Sequence, residues 1–336
     1  MKNILTKDFV REVLTVPSVS GHEERVRDLV ATRGLEWGAH VAYDEKGNVY
    51  LTKNPEGLKA VPCVAAHIDT VHRENLRLVY SNELVPVQET TDKDGRTVFS
   101  APGVGVGADD KAGVAQALAA FRYMTKDGGA CKAAFFVGEE TNMAGSSQLD
   151  RAFFDDVSVF VQFDSPGTDS SLSLQGQKLF TKEFRKKYLK PATDRYFGRD
   201  GIKQISYVPH PWTDTWQVMQ KTDIMCVNAP CGYYQYHTVH EYVVYEEMLA
   251  SACAMAEMLK ACAAEGVKFS RPKEKPAYPT YSHWFSGARD GETFQPQLLE
   301  SSSWSSRLLA QRAGQEKTGV GRPYQGFNYR GPGWRS

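Results

Sequence analysis

Residues 60–69 have the sequence AVPCVAAHID, an apolar run that ends in a histidine and an aspartate. An uninterrupted apolar run of this length predicts a strand that is buried on both faces, as in a parallel sheet. Open α/β sheets bind their ligands beyond the carboxyl ends of the strands. We therefore expect His67 and Asp69 to lie at the edge of a sheet, where a binding crevice opens.

Two further apolar runs end in acidic side chains. Residues 132–137 precede Glu139 and Glu140, and residues 157–163 precede Asp164. Both runs predict buried strands. The carboxyl ends of parallel strands meet at one edge of a sheet, so these acids are expected beside His67.

Other patterns complete the order of elements. Val49–Thr52 predicts a short strand, residues 72–100 predict a hairpin around Asp94-Gly95, and Thr222–Asn228 predicts a strand that leads towards His237. The loop before His237 contains Gly232. None of these segments contains a candidate catalytic or metal-binding residue, but the last one leads to His237.

Helical periodicity links the strands. Residues 20–23, SGHE, have the capping-box spacing and predict a helix over 23–32. A second helix is predicted from Asp110 to a glycine stop at 128–129, a short one from Gly145, and a long one over 246–264. This order predicts an α/β fold, a three-layer sandwich whose mostly parallel central sheet is flanked by helices.

Composition limits the classes of protein. The 336 residues are 41% hydrophobic and 24% charged, which is typical of soluble globular domains. The sequence contains no run of 18 apolar residues and no long apolar segment near its start, so we expect a cytoplasmic protein without membrane contact. Its six cysteines form no CxxC pair, which favours free thiols over a Cys226–Cys231 disulfide.

The end of the sequence differs from the rest. Residues 271–336 have ten Lys/Arg against five Asp/Glu and no sustained periodicity apart from a short predicted helix at 298–311. We expect a catalytic domain over residues 1–268 and a flexible Pro/Ser/Gly/Arg-rich extension over 269–336. Contact with nucleic acid or an acidic surface and a merely solubilising role are the alternatives for this extension.

The side chains expected at the sheet edge include two imidazoles and three carboxylates. Zinc binds both donor types, and paired metals about 3.5–4 Å apart clamp a reacting group. We predict that Asp109 bridges two metals, with His67 and Asp164 on one and Glu140 and His237 on the other. Two zinc ions are the default cofactors, and cobalt or manganese stay open. A single HxD or EE pair occurs by chance, but isolated buried acids are heavily penalised, so the ordered set favours a site.

Two acids remain for other roles. Asp69, on the same strand face as His67, is predicted to accept the imidazole N–H and fix the tautomer. Glu139 is predicted to be the general base that takes a proton from water. Tyr236 or Tyr234 is the candidate donor to the tetrahedral intermediate, although space-filling by these rings is an equal alternative.

The same site has further candidate residues. His210 and Asp214 form a second candidate group, in the segment between Asp164 and His237. His240 is an alternative ligand to His237. An acid beside the metals could also bind a substrate amine, and the candidates are Asp169, Asp110 and the region of Glu241. The remaining histidines, His22, His40, His72 and His283, are expected at the surface or in turns.

In combination these motifs resemble the co-catalytic zinc peptidases, which include peptidase T, the aminoacylases, glutamate carboxypeptidase-type enzymes and the single-domain zinc aminopeptidases. The resemblance covers about residues 5–265. It implies the phosphorylase/hydrolase-like zinc peptidase fold, the ligand roles above with His237 in place of His240, and two non-ligand acids, Asp69 and Glu139. The matching segments are PSVSGHE (17–23), AHIDTV (66–71), GADDKAG (107–113), GEE (138–140) and HTVHE (237–241).

One departure concerns the lid domain that the peptidase T and carboxypeptidase branches insert between the motifs matching Asp164 and His237. Only 72 residues separate these two positions here. We therefore expect a single domain without a lid, closer in plan to the zinc aminopeptidases.

The predicted function is a metal-dependent hydrolase of short peptides, of the exopeptidase, aminopeptidase or tripeptidase type. A deacylase that acts on N-acyl amino acids would use the same centre. A catalytically silent metal-binding or interaction protein that works through its basic tail is the alternative from another class, and the intact Glu139 argues against it. The sequence leaves the oligomeric state open.

Overall fold

A computed structural model describes residues 4–210 and 212–273. Most of the predicted extension 269–336, including the helix at 298–311 and His283, lies outside the described residues. The division into 1–268 and 269–336 therefore stays a prediction.

The described residues form eight α-helices and thirteen strands. The helices are α1 (Lys7–Thr15), α2 (Glu24–Glu36), α3 (Leu76–Ser81), α4 (Ala108–Thr125), α5 (Lys182–Phe184), α6 (Lys190–Thr193), α7 (Asp214–Thr222) and α8 (Tyr245–Glu265). The strands are β1 (His40–Tyr43), β2 (Val49–Lys53), β3 (Val61–His67), β4 (Gln88–Thr91), β5 (Thr97–Ser100), β6 (Cys131–Phe136), β7 (Val157–Ser165), β8 (Asp169–Leu174), β9 (Gln177–Lys178), β10 (Ser206–His210), β11 (Cys226–Pro230), β12 (Tyr233–Tyr234) and β13 (Tyr242–Val244).

The central sheet has six strands in the order β1-β2-β6-β3-β7-β11. The four strands β6, β3, β7 and β11 are parallel, and β1 and β2 add an antiparallel edge. Every residue of the four parallel strands is buried, as continuous apolar runs predict. Their carboxyl ends therefore lie along one edge of the sheet.

Helices flank this sheet and fix the ends of its strands. Helix α4 packs against β3, β6 and β7, and α8 packs against α4. Helix α7 packs against β7 and β11, and α2 packs against β1 and β2. The predicted α/β sandwich with a mostly parallel sheet is confirmed.

Two smaller sheets position the loops around the edge of the central sheet. One has the order β12-β13-β5-β4 and includes the predicted hairpin, whose turn spans Asp92–Arg96. The loop 235–241 joins β12 to β13 and carries His237. The other has the order β10-β8-β9, and β8 follows shortly after β7. Strand β8 thus follows the carboxyl end of β7, and strand β13 leads directly into α8.

The helix predicted over 23–32 is present and runs from Glu24 to Glu36, but the capping box that predicted its start is not formed, because Ser20 Oγ donates to Asp69 and not to the helix end. Two other local predictions were wrong. The strand expected at 222–228 begins at Cys226, because α7 continues to Thr222 and Asp223 ends it in the left-handed conformation. The short helix expected from Gly145 is a single 3-10 turn, Ser146–Gln148.

All six cysteines are free and buried, as the sequence predicts. The helices of the described part are too short or too polar to span a bilayer.

Candidate metal centre

The edge of the central sheet brings together the five predicted metal ligands. His67 ends β3, Asp164 is the penultimate residue of β7, and Glu140 follows β6. Asp109 lies in the first turn of α4, and His237 lies in the loop between β12 and β13. The ligand atoms of His67, Asp109 and Asp164 lie within 4.8 Å of one another, and so do those of Asp109, Glu140 and His237.

Asp109 belongs to both groups of donor atoms. Its Oδ1 lies 3.2 Å from Nε2 of His67, and its Oδ2 lies 3.1 Å from Nε2 of His237. On the first side, Asp164 Oδ1 lies 3.7 Å from the same His67 nitrogen. On the second side, Glu140 Oε1 lies 2.7 Å from the same His237 nitrogen. One carboxylate thus faces two sets of donors with different oxygens.

Asp69 connects the ends of two neighbouring strands. Nδ1 of His67 lies 3.2 Å from the backbone oxygen of Asp69 and 3.3 Å from its carboxylate Oδ1, so both groups of Asp69 are near the imidazole nitrogen that the carboxylate is predicted to orient. The same carboxylate also accepts the backbone N–H groups of Glu139 and Glu140 at 2.9 and 3.2 Å, and the hydroxyl of Ser20 at 2.7 Å. Asp69 therefore fixes both the ring of His67 and the backbone that carries Glu139 and Glu140.

Glu241 supports Asp109 in a similar way, a role that no sequence pattern indicates. Its carboxylate is fully buried and accepts the backbone N–H groups of Ala108 and Asp109 at 2.9 and 3.0 Å. His72 Nε2 lies 2.8 Å from Glu241 Oε2. His72, expected at the surface or in a turn, lies in the loop after β3, but a surface position is wrong because its side chain is only 3% exposed.

Asp110 supports the same region from inside the core. It is fully buried, and it accepts the backbone N–H groups of His67 at 3.1 Å and Gly113 at 3.0 Å. Gly113 is required here because a Cβ would lie 2.2 Å from Asp110 Oδ1 and from the backbone oxygen of Phe163. The GADDKAG segment thus lets α4 begin in close contact with β7.

A buried polar network orients Asp164. Gln162 Nε2 donates to Asp164 Oδ2 at 3.1 Å, and Gln162 Oε1 accepts the hydroxyl of Thr215 at 2.7 Å. Asp214 is fully buried and lies 3.4 Å from the same Gln162 nitrogen, and Ser146 donates to it. The structure therefore places Asp214, one of the second candidate group, beside the candidate metal ligands. His210 instead contacts Ser171 Oγ at 3.0 Å.

The charges at this edge fit a pair of cations. Burial raises the pKa of Asp164 to about 6 and that of Asp214 to about 7. Burial and the nearby charges of Asp164 and Asp214 also raise the pKa of Glu139. Burial alone would lower the pKa of His67, but its carboxylate partners raise it well above the ordinary value. Crowded, buried carboxylates with two imidazoles are the donor set that divalent metals bind.

The three tyrosines of the predicted loop differ in what they contact. Tyr236 is half-buried, and its ring packs edge-on against His237 with centroids 5.1 Å apart. Tyr233 donates to Asp164 Oδ1 at 3.4 Å, a contact that the sequence did not indicate. Tyr234 donates to Glu247 at 2.6 Å, so this alternative candidate does not direct its hydroxyl at the candidate metal ligands.

The remaining candidate residues differ in their burial and in their distance from the candidate metal ligands. His240 is exposed and lines a different cavity, whereas His237 meets Asp109 and Glu140. Asp110 and Glu241 are buried and occupied with backbone amides, which makes both wrong as acids for a substrate amine. Asp169 lines a cavity next to Tyr236.

Residues 63–261 match the sequence profile of peptidase family M20/M25/M40, more than half of the chain. The chain belongs to this peptidase family. The M20/M25/M40 assignment confirms the predicted resemblance and the predicted class, a metallopeptidase-type hydrolase.

The individual proteins that resemble this chain are only distantly related to it in sequence. The cytosol non-specific dipeptidase of Escherichia coli (strain K12) is 30% identical over 146 residues, which cover 42% of this chain and 29% of the dipeptidase. The match therefore spans less than a third of that relative.

Solved structures show the fold. A tripeptidase from Staphylococcus aureus has a TM-score of 0.60 at 14% identity, and the aminopeptidase PepT from Bacillus cereus has 0.58 at 15%. Each match covers 78% of this chain and 100% of the other. The YXEP protein of Bacillus subtilis, a dinuclear metal-binding peptidase of the M20 family, has a TM-score of 0.52 at 13% identity, with 77% and 98% covered.

Proposed function

We propose that this chain is a zinc-dependent exopeptidase that hydrolyses a peptide bond of short peptides at a centre for two metal ions. The observation that carries this proposal is the position of Asp109, whose two oxygens face the two separate donor groups at 3.2 and 3.1 Å. A carboxylate shared in this way is typical of paired-metal hydrolases.

The residues would hold the metals in two sets. His67 and Asp164 would complete one set and Glu140 and His237 the other, with Asp109 common to both. When bound, a pair of such ions supplies Lewis acidity to a scissile carbonyl and to water. Asp69 keeps Nδ1 of His67 engaged, so that Nε2 is directed at the metal position.

Glu139 is the proposed general base. It lies with His67 and Glu140 in a group whose ligand atoms are within 4.8 Å, but its neighbour Glu140, and not Glu139, also joins Asp109 and His237. The backbone N–H of Glu139 donates to Asp69, which positions the residue. The side-chain carboxylate of Glu139 would be the group that exchanges protons. Glu139 would take a proton from the attacking water and deliver it to the leaving amine.

Tyr236 is the proposed donor to the developing oxyanion. The half-buried ring lies against His237, and the negative charges of Asp109 and Asp164 contribute to a raised pKa of its phenol after the larger effect of burial. A protonated phenol next to the reacting carbonyl stabilises negative charge where it develops.

Metal analysis and a substrate panel test this proposal together. The full chain, reconstituted with zinc, should contain about two metals. It should hydrolyse aminoacyl, dipeptide or tripeptide substrates, with loss of activity on chelation and recovery on adding zinc back. N-acyl amino acids belong in the same panel, because the same residues serve a deacylase.

The outcomes separate the candidates. Cleavage of N-acyl amino acids alone would replace the exopeptidase by the deacylase. Two bound metals without turnover of any panel member would favour the silent metal-binding protein, and a protein that binds no metal would refute the centre itself.

A further inference from the structure

One loop carries both Glu139 and Glu140, and its two ends lie against each other. The loop spans residues 138–145 and follows β6 closely. Gly145 N donates to Val137 O at 3.0 Å, and this hydrogen bond closes the loop. The positions of both carboxylates therefore depend on how the closure is held.

Asn48 holds this closure from the neighbouring strand. It immediately precedes β2, which pairs with β6, and it is fully buried. Its Oδ1 accepts the backbone N–H of Val137 at 3.0 Å, and its Nδ2 donates to the carbonyl oxygen of Gly145 at 3.1 Å. One carboxamide thus binds both ends of the loop that carries Glu139 and Glu140.

The surroundings of Asn48 fix the orientation of its carboxamide. Asp44 accepts a second hydrogen bond from Nδ2 at 2.7 Å and accepts the backbone N–H of Asn48 at 3.1 Å. The hydroxyl of Tyr50 also donates to Asp44, at 2.7 Å. A Cβ at Gly145 would lie 2.3 Å from Asn48 Oδ1, so the glycine lets the loop approach this closely. An amide side chain supplies the donor and the acceptor that this contact needs.

The loop is attached to both of the strands that flank β6. On the β3 side, Asp69 accepts the backbone N–H groups of Glu139 and Glu140. On the β2 side, Asn48 binds the two ends of the loop. Loss of the Asn48 contacts would let the loop turn about its contact with Asp69 and displace both carboxylates.

The two candidate metal sets would respond differently to such a displacement. Glu140 belongs to the set with His237, whereas His67 and Asp164 of the other set lie on β3 and β7. Displacement of the loop therefore moves a donor of one set and leaves these donors of the other set in place.

We propose that Asn48 is a positioning residue, which sets Glu139 for proton transfer and Glu140 for metal binding by holding both ends of the loop 138–145. The proposal rests on the proposed exopeptidase function and deepens it, because it adds a residue that acts through the base and through one ligand.

Zinc titration of the full chain against a competing chelator measures the effect on Glu140. Asn48→Ala should bind one zinc ion as the wild type does and the other about 10- to 100-fold more weakly. Asn48→Asp keeps an acceptor for Val137 but loses the donor to Gly145, so it should weaken the same ion and decides the question if Asn48→Ala does not fold. Asn54→Ala is the matched control and should retain both affinities. Asn54 Nδ2 donates to the carbonyl oxygen of Gly129 at 2.9 Å, at the opposite end of the β2–β6 pair.

Kinetics at saturating zinc measure the effect on Glu139. The kcat of Asn48→Ala should fall about 10²-fold, as for a reacting group displaced by about 1 Å, with KM little changed. A residue that only stabilises the fold would lower the Tm and leave kcat and both zinc affinities of the folded protein unchanged.

The metal titration separates this proposal from the exopeptidase function. Weaker binding of one zinc ion in the Asn48 variants, with Asn54→Ala as in the wild type, supports the proposal even if no peptide is cleaved. Wild-type affinity for both ions in the Asn48 variants, or an equal loss in Asn54→Ala, overturns it. The exopeptidase function would then still stand on the hydrolysis of the substrate panel by the wild type.

Discussion

Glu241 holds the backbone of Asp109, 132 residues earlier in the chain, by accepting its amide hydrogen at 3.0 Å. The same carboxylate accepts the amide of Ala108 and lies 2.8 Å from the ring of His72. All three interactions occur in the core, where an unpaired donor is expensive. Glu241 is the last residue of the β12–β13 loop that presents His237, so one side chain sets the start of α4 against that loop.

Replacement of Glu241 by Ala should therefore weaken metal binding. Two buried amides would lose their acceptor, at about 1–3 kcal/mol each, and Asp109 would lose its fixed position. We expect metal affinity to fall about 10- to 100-fold, as for other residues that orient ligands. Metal titration and urea unfolding measure the two effects. Glu83→Ala, at an exposed position, is the control, and wild-type metal affinity in Glu241→Ala would contradict the assigned role.

Glu139→Gln separates proton transfer from metal binding. The amide is nearly isosteric with the carboxylate, and the backbone contact to Asp69 is retained, so metal content should stay at the wild-type value. Turnover should fall about 10²–10⁴-fold because the base is lost. Elemental analysis and kcat on the best panel substrate give the two readouts. Unchanged kcat would show that another group accepts the proton.

Tyr236 and Tyr234 offer a matched pair of hydroxyl deletions. Tyr236→Phe should lower kcat about 10²-fold with little change in KM, since one oxyanion donor is typically worth that much. Tyr234→Phe should leave kcat unchanged and destabilise the fold by about 1 kcal/mol, because its hydroxyl binds Glu247. If both variants keep wild-type kcat, the ring of Tyr236 only fills space beside His237.

The clustering of the candidate ligands at one edge of the sheet could be predicted from the sequence because its signal is local. The runs that form β3 and β7 are buried throughout, and His67 and Asp164 stand where these runs end. The order of strands and helices along the chain follows from the same periodicity. Contacts between elements that are far apart in the sequence have no such local signal.

Three residues show this limit. Gln162 lies inside a buried strand and looks like a core position, yet it orients Asp164. His72 and Glu241 are separated by 169 residues and pair only because the loop after β3 meets the loop before β13. Asp223 ends α7 in the left-handed conformation, which no pattern around Thr222 indicated.

Removal of the metals should destabilise the fold as well as stop turnover. The carboxylates of Glu140 and Asp164 lie beside that of Asp109 at one edge of the sheet, and without a cation their burial and the nearby negative charges raise their pKa values and oppose folding. Free metal at about 1,000 times its Kd adds about 4 kcal/mol of stability. A chelator should therefore lower the Tm by about 10 °C at about 2–4 °C per kcal/mol.

Thermal unfolding with and without chelator measures this shift. Asp164→Asn should reduce it, because the variant binds metal less tightly and carries one buried charge fewer. Asp28→Asn, at an exposed position, should keep the full shift. An identical Tm with and without chelator in the zinc-loaded wild type would mean that the bound metal does not favour the folded state. The crowding of these carboxylates would then have to be relieved by protonation, which would make stability rise as the pH falls through the raised pKa of Asp164, about 6.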